Sequence, residues 1–333
     1  MQLPFVNDQN PGKRIKIFTW HIHGTYLYYL SLGDYEIYIP KSKEAKPGYV
    51  GLGTTFPFGP NVHEIDEEKV KDLELDCILF QTKTNYLEDQ YETLSAEQRE
   101  LPKIYLEHDP PQETTPYTKH IITDKSISLV HVTHFNSLLW DNNNLPFTVI
   151  EHGVEVRDVP YSGELERGIV VINNIERRGR RLGLDVFLEV QKHVPIDLVG
   201  MGAERLGLGE VLHPELPEFL SRYRFFFNPI RFTSLGLAVC EAMTMGIPVV
   251  GLATTELASV IKNGETGVIH TDINYLISAM QDLLSNHDKA RQIGAAGQAM
   301  AKKRFDIKRF NADWLRVFKE VINKNQQNGK ITR

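Results

Sequence analysis

The second half of the chain alternates short apolar runs with helical patterns. The runs are GIVVIN (168–173), IDLVG (196–200), FFFNP (225–229), PVVG (248–251) and GVIH (267–270). The helical patterns between and after them are GLDVFLEVQKHV (183–194), LPEFLSRY (216–223), LGLAVCEAMTM (235–245) and YLISAMQDLLSN (275–286). Strand–helix alternation of this kind predicts a parallel sheet with helices on both faces.

A similar series of apolar runs occupies the first half. These runs are IKIFTW (15–20), YEIYIP (35–40), DCILFQ (76–81), KIYLEH (103–108), LVHVTHF (129–135) and FTVIEHG (147–153). Two series in 333 residues predict two doubly wound α/β domains, with a boundary in the charged stretch 154–168, which contains Pro and Gly. The predicted organisation is an N-terminal Rossmann-like domain (1–157), a C-terminal Rossmann-like domain (158–305), a closing helix (306–323) and a polar tail (324–333).

Composition excludes several classes of protein. The two cysteines, Cys77 and Cys240, lie in apolar contexts, which argues against a disulfide framework and favours a reducing, cytoplasmic compartment. No run resembles a signal peptide or reaches the roughly 18 apolar residues that span a membrane. Residues 1–160 hold 14 Lys and Arg against 24 Asp and Glu, a net charge of −10, and the rest of the chain carries +4. We therefore expect no nucleic-acid partner and at most peripheral contact with a membrane.

Histidines follow the predicted strands of the first half. They are His21 and His23 after the first strand, His108 beside Asp109, His134 and His152. Because ligands of open parallel sheets bind beyond the carboxyl ends of the strands, we expect these loops to converge on one site. Two interpretations stay open: hydrogen-bonded residues at strand ends, or the metal ligands of a hydrolase built on His21 and His23, although a metal site also needs convergent carboxylates.

A basic cluster directly follows the first strand of the second series. Its members are Arg177, Arg178, Arg180 and Arg181 in NNIERRGRRLG (173–183). Guanidinium groups match phosphate oxygens, and a solvated basic surface is the alternative. A Gly-x-Gly that includes Gly202 follows the next strand, and on its own it is a weak indicator of nucleotide binding.

The stretch NPIRFTSLGLAVCEAMTMGIPVV (228–250) predicts a strand, a loop, an apolar helix and another strand. Thr233 or Ser234 suits the N-cap of a helix over 235–245, and Gly246 suits its C-terminal end. The amides of a helix N-terminus form a natural phosphate site, and Gly236 would let an anion approach the backbone closely.

Glu241 is the one acid of this helix, and a carboxylate among apolar residues needs partners. The vicinal hydroxyls of a ribose would supply paired donors, whereas a neighbouring Arg or the protein surface is the alternative. A nucleotide diphosphate would satisfy the whole arrangement, with its ribose at Glu241, its phosphates at the amides of residues 235–237 and further charge on the arginines.

The stretch PIRFTSLGLAVCEAMTMGIPVV resembles the signature of retaining glycosyltransferases of family 4, roughly P-S-x-x-E-G-F-G-L-x-x-x-E-A-M-A-x-G-x-P-V-V. The matching positions are Pro229, Gly236, Leu237, Glu241, Ala242, Met243, Gly246, Pro248, Val249 and Val250. Other similar stretches are VIKNGETGVI (260–269), TVIEHGV (148–154), EHD (107–109) and RFDIKRFNADWLRVFKEV (304–321). WHIHGTYLYYL (20–30), which contains Gly24, is similar to short bacterial envelope-polysaccharide glycosyltransferases, including cyanobacterial heterocyst-envelope glucosyltransferases.

The resemblance covers nearly the whole chain and implies the GT-B fold. This fold has two Rossmann-like domains facing across a cleft, with a C-terminal helix that crosses back to the N-terminal domain. The N-terminal domain would hold the acceptor, and the C-terminal domain would hold a nucleotide sugar.

The resemblance also implies roles for individual residues. Glu241 would bind the donor ribose, and His108 would lie over the donor sugar and the leaving phosphate. The family's diphosphate-binding Arg and Lys have no clean counterpart in this sequence. The basic cluster occupies their place, and Arg178 and Arg181 are the residues expected to bind the diphosphate. The other predicted donor-binding residues are Thr233, Ser234, Leu235, Gly236, Leu237, Gly202 and Gly24. One departure is Thr233, which replaces the family's first glutamate of E-x7-E; that glutamate hydrogen-bonds the donor sugar, so the sugar's identity does not follow from this position.

The implied activity is the retaining, metal-independent transfer of a sugar, with UDP-glucose as the expected donor. The acceptor would be a hydroxyl of a saccharide or lipid-linked saccharide in envelope or exopolysaccharide synthesis, at the inner face of the plasma membrane if the acceptor is lipid-linked. No cofactor beyond the donor is expected. The alternatives are a GT-B sugar-nucleotide epimerase, the metal-dependent hydrolase on His21 and His23, and a catalytically inactive sugar-nucleotide-binding partner.

Overall fold

The computed structural model describes residues 13–113 and 115–331. Residues 1–12 of the predicted N-terminal domain and residues 332–333 of the predicted tail lie outside the described residues. The chain divides into two compact units. The first contains the described residues up to Val132, residues 136–151 and the described residues from Lys308 onward, and the second contains Thr133–Phe135 and His152–Ile307.

Each unit contains one parallel sheet. The strands of the first unit are β1 (Lys16–Thr19), β2 (Glu36–Lys41), β3 (Val62–Asp66), β4 (Cys77–Phe80), β5 (Lys103–Glu107), β6 (Ile127–His131) and β7 (Phe147–Val149). The strands of the second unit are β8 (Leu165–Val171), β9 (Ile196–Val199), β10 (Tyr223–Asn228), β11 (Val249–Leu252) and β12 (Val268–His270). All the strand pairs within both sheets are parallel. The prediction of two parallel α/β sheets is confirmed.

Eleven α-helices lie among the described residues. They are α1 (Gly24–Leu30), α2 (Gln90–Thr93), α3 (His134–Leu139), α4 (Ile175–Arg178), α5 (Leu184–Val190), α6 (Leu216–Ser221), α7 (Leu237–Thr244), α8 (Leu257–Val260), α9 (Ile273–Ser285), α10 (His287–Arg304) and α11 (Ile307–Ile331). The 3-10 segments are Glu67–Asp72, Gln98–Glu100 and Gly179–Leu182, and a π-helical segment covers Asn85–Asp89.

The first unit has the strand order β3-β2-β1-β4-β5-β6-β7. Its first six strands follow the 3-2-1-4-5-6 order of the dinucleotide-binding fold, so the order reverses between β1 and β4. Aromatic rings fill one side of its core: Phe18 meets Trp20 edge-on at 4.9 Å, and Trp20 stacks on Phe80 at 5.8 Å. Burying each such side chain contributes roughly 1.5–3 kcal/mol.

The C-terminal helix α11 belongs to the first unit. Trp314, which is fully buried, donates from Nε1 to the hydroxyl of Tyr26 on α1 over 3.1 Å. Phe310 meets Tyr26 edge-on at 5.4 Å, and Phe318 meets Tyr35 at 5.1 Å. The apolar stripe of α11 therefore completes the core beside α1.

The second unit has the strand order β12-β11-β10-β8-β9, so its order reverses between β8 and β10. Its core lies between the sheet and helices α5 and α9, and includes Phe187, Phe225, Phe227 and Met280, all fully buried. Thr133–Phe135 groups with this unit, and the Phe135 amide donates to Oε2 of the buried Glu256 over 2.7 Å.

Strand β3 is the one strand among the described residues that the sequence patterns did not predict. Within it only Val62 is buried, residues 63–66 alternate half-buried and exposed positions, and β3 pairs only with β2 at the edge of the sheet. An edge strand buries less apolar surface, so it lacks the continuous apolar run of the central strands. No helix connects β2 to β3; residues 42–61 form an irregular loop instead.

Candidate active site

The residues predicted to bind a donor lie in the second unit, at the carboxyl edge of its sheet, except for Gly24, which belongs to the first unit. Strand order reverses between β8 and β10, and ligands of doubly wound sheets bind outside the strand ends at that point. β8 leads into Asn173 and Asn174, while β10 leads through the loop 229–236 into α7. The basic cluster and the Ser234–Leu237 segment therefore follow the two strands that flank the reversal.

Helix α7 begins two residues later than predicted. Its N-cap is Gly236, with φ −72° and ψ 134°, and no side chain caps the helix, so the prediction of a Thr233 or Ser234 cap is wrong. The Val239 amide bonds to the Gly236 carbonyl over 3.1 Å. An anion would therefore meet the amides of Leu237 and Ala238 rather than those of residues 235–237.

Space is open in front of this helix end. A Cβ atom added to Gly236 would meet no heavy atom within 4 Å. The Ser234 hydroxyl nearby is buried, with 8% of the residue exposed, and has no hydrogen-bond partner among the described residues. Buried hydroxyls are nearly always hydrogen-bonded, so an unsatisfied one beside open space fits a ligand-binding position.

The loop that carries Ser234 is held by His152. The His152 Nε2–H donates to the Leu235 carbonyl over 2.8 Å, and the imidazole is almost fully buried. His152 and His134, which the sequence patterns placed with the histidines of the first half, belong to the second unit. The expectation that the histidine-bearing loops converge on one site stays a prediction.

Glu241 has a protein partner that the sequence patterns did not reveal. His213, from the segment between β9 and α6, places Nε2 3.2 Å from Glu241 Oε1, and the two side chains are 9% and 12% exposed. This contact orients the carboxylate at the side of α7. A carboxylate has about four lone-pair positions, so a contact at one of its oxygens does not use its full capacity to accept hydrogen bonds.

The arginines differ in their surroundings. Arg180 and Arg231 both donate to the carboxylate of Asp185, the latter from Nη2 over 2.8 Å, and the hydrogen bond from Arg231 holds the pKa of Asp185 below its usual value. Arg178 and Arg181 are only half-exposed. The Arg181 carbonyl also accepts the backbone amides of Arg231 and Phe232 over 3.1 and 3.2 Å. Arg180 is thus engaged by Asp185, and the prediction that Arg178 and Arg181 bind a diphosphate stays a prediction.

Gly202 lies against the end of β8. The Asn174 amide bonds to the Met201 carbonyl over 2.6 Å, and the Met201 amide bonds to Asn173 Oδ1 over 2.9 Å. Gly202 has φ +71°, and a Cβ there would sit 3.0 Å from Asn174 Oδ1. This close backbone approach accounts for the glycine, and its role in donor binding stays a prediction.

In the first unit, His108 is packed among aromatic rings near the reversal between β1 and β4. The His23 ring lies 4.0 Å from the His108 ring, and Tyr26 meets His108 edge-on at 4.8 Å. Burial raises the pKa of the Tyr26 hydroxyl well above its usual value, so Tyr26 stays neutral. Gln81, at the end of β4, contacts His108 Nε2 over 3.0 Å and is a further residue that the sequence patterns missed.

Hydrogen bonds of Glu107 hold the loop that follows β5 in place. Glu107 accepts the Asp109 amide at Oε1 over 3.1 Å and contacts the buried His120 at Oε2 over 3.2 Å. The Ile122 amide donates to His120 Nδ1, so the proton of that ring lies on Nε2 and points to Glu107. These contacts fix the backbone on both sides of His108.

His21 and Gly24 have structural surroundings of their own. His21 donates from Nδ1 to the Gly51 carbonyl over 2.6 Å. A Cβ at Gly24 would come within 2.4 Å of the Phe56 ring, so the glycine allows that ring to pack on α1.

Over the described residues, no group of three or more His, Cys, Asp and Glu side chains is arranged as a metal site, and no helix there is long and apolar enough to cross a bilayer. The hydrolase alternative on His21 and His23 therefore finds no ligand set in that part of the chain.

Residues 169–286 match the family model described as glycosyl transferases group 1. The chain is 26% identical over 133 residues to the lipopolysaccharide core biosynthesis mannosyltransferase LpsB of Rhizobium meliloti, an alignment that covers 39% of this chain and 37% of that protein. It is also 30% identical over 86 residues to the trehalose synthase of Pyrococcus horikoshii, covering 26% of this chain and 21% of that one.

Solved structures resemble nearly the whole chain. The sucrose-phosphate synthase of Thermosynechococcus elongatus superposes with a TM-score of 0.66 at 15% identity, covering 93% of this chain and all of that one. Anabaena HepE in complex with UDP and glucose superposes with a TM-score of 0.64 at 11% identity, covering 92% and 100%. The prediction of a GT-B fold is confirmed. The matches support the prediction of a glycosyltransferase, and donor, acceptor and stereochemistry stay predictions.

Proposed function

We propose that this chain is a retaining, metal-independent glycosyltransferase of family 4 that transfers glucose from UDP-glucose to a hydroxyl of a saccharide or lipid-linked saccharide. The observation that carries the proposal is the N-terminus of α7, which no side chain caps, and where Gly236 faces open space beside the buried Ser234 hydroxyl, a group without a hydrogen-bond partner in the part of the chain that the structure describes. A diphosphate supplies the anion and the acceptors that these groups lack.

The proposed donor site is assembled from the second unit. The ribose hydroxyls donate to Glu241, and the β-phosphate accepts from the amides at the start of α7 and from Ser234. Arg178 and Arg181 supply positive charge to the diphosphate, which guanidinium groups suit because of their paired donors. Thr233, in place of the family's glutamate, offers the transferred sugar one uncharged hydrogen bond.

The proposed reaction breaks the bond between the sugar C1 and the β-phosphate oxygen and forms a bond between C1 and the acceptor oxygen on the same face. The acceptor proton passes to the departing phosphate oxygen, so no carboxylate nucleophile is required. The helix amides and arginines stabilise the negative charge that develops on the leaving UDP.

The choice of donor and acceptor is supported by the relatives. HepE was solved with UDP and glucose and with UDP-glucose, and LpsB is described as an enzyme of lipopolysaccharide core biosynthesis. We therefore propose a role in envelope or exopolysaccharide synthesis, including the heterocyst-envelope role that the N-terminal stretch suggests. A lipid-linked acceptor would place the enzyme at the inner face of the plasma membrane.

A panel of nucleotides and nucleotide sugars in a thermal-shift assay tests the proposal. Binding at 100 times Kd adds about 2.7 kcal/mol to the free energy of unfolding, so a true donor should give a clear rise in Tm. UDP-glucose should stabilise the protein more than UDP-galactose or GDP-mannose, and UDP more than uridine. Absence of a shift with every nucleotide would overturn the proposal.

The substitution at Thr233 favours one further candidate, a catalytically inactive protein that binds a sugar nucleotide. Loss of a carboxylate from the sugar-binding position can abolish transfer while leaving nucleotide affinity intact. Enzymatic release of UDP from UDP-glucose above the background of a Glu241→Ala protein would exclude this candidate. Binding without any release, with a panel of saccharide acceptors present, would favour it.

A further inference from the structure

Gln81 links His108 to the ends of β1 and β4, the two strands between which the order of the first sheet reverses. The residue follows β4 directly and is 5% exposed. Its Nε2 atom lies 2.9 Å from Thr19 Oγ1 and 2.9 Å from the Trp20 carbonyl oxygen, both at the end of β1. Its Oε1 atom lies 3.0 Å from His108 Nε2.

The orientation of this amide follows from its partners. The Trp20 carbonyl can only accept a hydrogen bond. The Thr19 hydroxyl donates its own proton to the Leu79 carbonyl over 2.9 Å, so its oxygen is also an acceptor toward Gln81. Two acceptors on one side require the NH₂ group on that side. The hydrogen-bond network therefore requires that the oxygen of Gln81 face His108.

An oxygen that faces His108 Nε2 has a chemical consequence for the imidazole. Oε1 of Gln81 has no proton to give, so the proton of the bond must belong to His108 Nε2. A neutral imidazole carries one proton, and the lone pair then lies on Nδ1. At Nδ1 the neutral ring accepts hydrogen bonds and cannot donate them.

We propose that Gln81 is a positioning residue that holds His108 in the Nε2–H tautomer, so that Nδ1 of the neutral ring is an acceptor and not a donor during the reaction. The inference rests on the proposed function for the nature of that reaction, whereas the tautomer follows from the hydrogen bonds of Gln81. This tautomer also excludes one role for the neutral His108 ring, that of a hydrogen-bond donor from Nδ1. A neutral ring in this tautomer cannot donate from Nδ1 to the leaving phosphate, whose charge is then met by the groups of the donor site.

The surroundings of His108 restrict the ring to this arrangement. His23 lies against it at a centroid distance of 4.0 Å, and Tyr26 meets it at an interplanar angle of 88°. The His108 carbonyl accepts from Asn136 Nδ2 over 3.1 Å, which holds the backbone. Packing thus fixes where the ring lies, and Gln81 fixes which nitrogen carries the proton.

Nuclear magnetic resonance of the full-length protein tests the tautomer directly. Long-range ¹H–¹⁵N correlation of ¹⁵N-histidine-labelled protein at pH 8 distinguishes the two tautomers of each ring. A His108→Asn protein identifies the His108 signals among the 12 histidines. We expect the Nε2–H pattern for His108 in the wild-type protein, and an Nδ1–H pattern would overturn the inference.

Two variants test whether Gln81 is responsible. Gln81→Met keeps the length of the side chain but removes both hydrogen-bonding groups, so we expect a mixture of tautomers and a roughly tenfold or larger fall in kcat with a smaller change in KM. Thr19→Val leaves the Trp20 carbonyl to orient the amide, so the Nε2–H pattern should persist. An unchanged tautomer in a folded Gln81→Met protein would overturn the role of Gln81.

Failure of this inference differs visibly from failure of the proposed function. If the wild-type protein transfers sugar but His108 shows the Nδ1–H pattern, the inference falls and the proposed function stands. If His108 shows the Nε2–H pattern but no nucleotide binds, the tautomer stands and the proposed function falls. The wild-type spectrum is decisive even if Gln81→Met does not fold.

Discussion

Glu241 Oε1 and His213 Nε2 lie 3.2 Å apart in the second unit, with both side chains largely buried. The carboxylate is therefore oriented by the protein before any ligand arrives. A ligand hydroxyl would meet a fixed acceptor instead of a mobile side chain, which lowers the entropic cost of binding.

Substitutions of Glu241 and His213 should show separately how much the carboxylate contributes to UDP binding and how much its orientation by His213 contributes. Glu241→Gln keeps the shape but removes the charge, and hydrogen bonds to charged groups are worth about 1.5–3 kcal/mol, so UDP affinity should fall roughly 10- to 100-fold. His213→Asn should lower UDP affinity by less, because the carboxylate remains. Isothermal titration calorimetry with UDP measures both. Unchanged affinity in Glu241→Gln would show that the charge of Glu241 does not contribute to nucleotide binding.

Two glycines at opposite ends of α7 provide a matched pair. Gly236→Ala adds a methyl group where φ is −72° and the space is open, so stability should change by less than about 0.5 kcal/mol while UDP affinity falls at least tenfold. Gly246 has φ +84°, so Gly246→Ala should lower the free energy of unfolding by about 1–2 kcal/mol and leave UDP affinity unchanged. Chemical denaturation and calorimetry distinguish them. Normal UDP binding by Gly236→Ala would refute a phosphate site at this helix end.

Ser234→Ala removes a buried hydroxyl that has no partner among the described residues. The protein without ligand should be as stable as the wild type or slightly more stable, because an unsatisfied buried polar group is costly. Tm measured with saturating UDP-glucose should nevertheless be lower than that of the wild type under the same conditions. A loss of stability without ligand would mean that the hydroxyl serves the fold.

If Arg178 and Arg181 bind the diphosphate, their substitution should lower the affinity for UDP but not the affinity for uridine. Arg181→Ala and Arg178→Ala should weaken UDP binding by tenfold or more and leave uridine binding unchanged, because only the diphosphate is charged. Arg180→Ala is the control, since that guanidinium is engaged by Asp185. Equal losses for Arg180→Ala and Arg181→Ala would point to a general field of positive charge rather than to direct contacts.

His131 should make the first unit less stable in mild acid. Burial lowers the pKa of His131 to about 4, from about 6.5 in an unfolded chain. As pH falls below 6.5 the unfolded state takes up the proton first, so stability is lost between pH 6.5 and 4, by an amount on the order of 3 kcal/mol. His131→Gln should flatten this part of the profile of Tm against pH. A variant with the same pH profile as the wild type would contradict the assignment.

Apolar pattern was sufficient to predict the central strands, because both faces of such a strand are buried, as the six consecutive buried residues of β10 show. It was insufficient for β3, which lies at an edge. Sequence also misplaced the start of α7, since the preference for Ser at an N-cap assumes that the protein satisfies its own helix end. Here Ser234 is not the cap, and such departures from local rules are expected at functional sites.

Residues whose roles depend on tertiary contact escaped prediction for a different reason. His213 is 28 residues from Glu241 in sequence, and Gln81 is 27 residues from His108. A polar residue at the end of a strand is ordinary in sequence, and its meaning appears only when parallel strands bring several ends to one edge. The motif around Glu241 was recognisable because its residues lie at fixed spacings in one continuous stretch of sequence, whereas no spacing rule links Gln81 to Thr19 and His108.

The hydrogen bond from Trp314 to Tyr26 joins residues 288 positions apart and has a consequence for synthesis. At 5–20 residues per second, a ribosome needs roughly 15–60 s to reach Trp314 after it has made Tyr26. During that time the face of α1 that receives Trp314 and Phe310 has no covering helix on the nascent chain. The unit that is begun first is therefore finished last, and a chain truncated before Trp314 would leave Tyr26 and Tyr35 uncovered and open to aggregation.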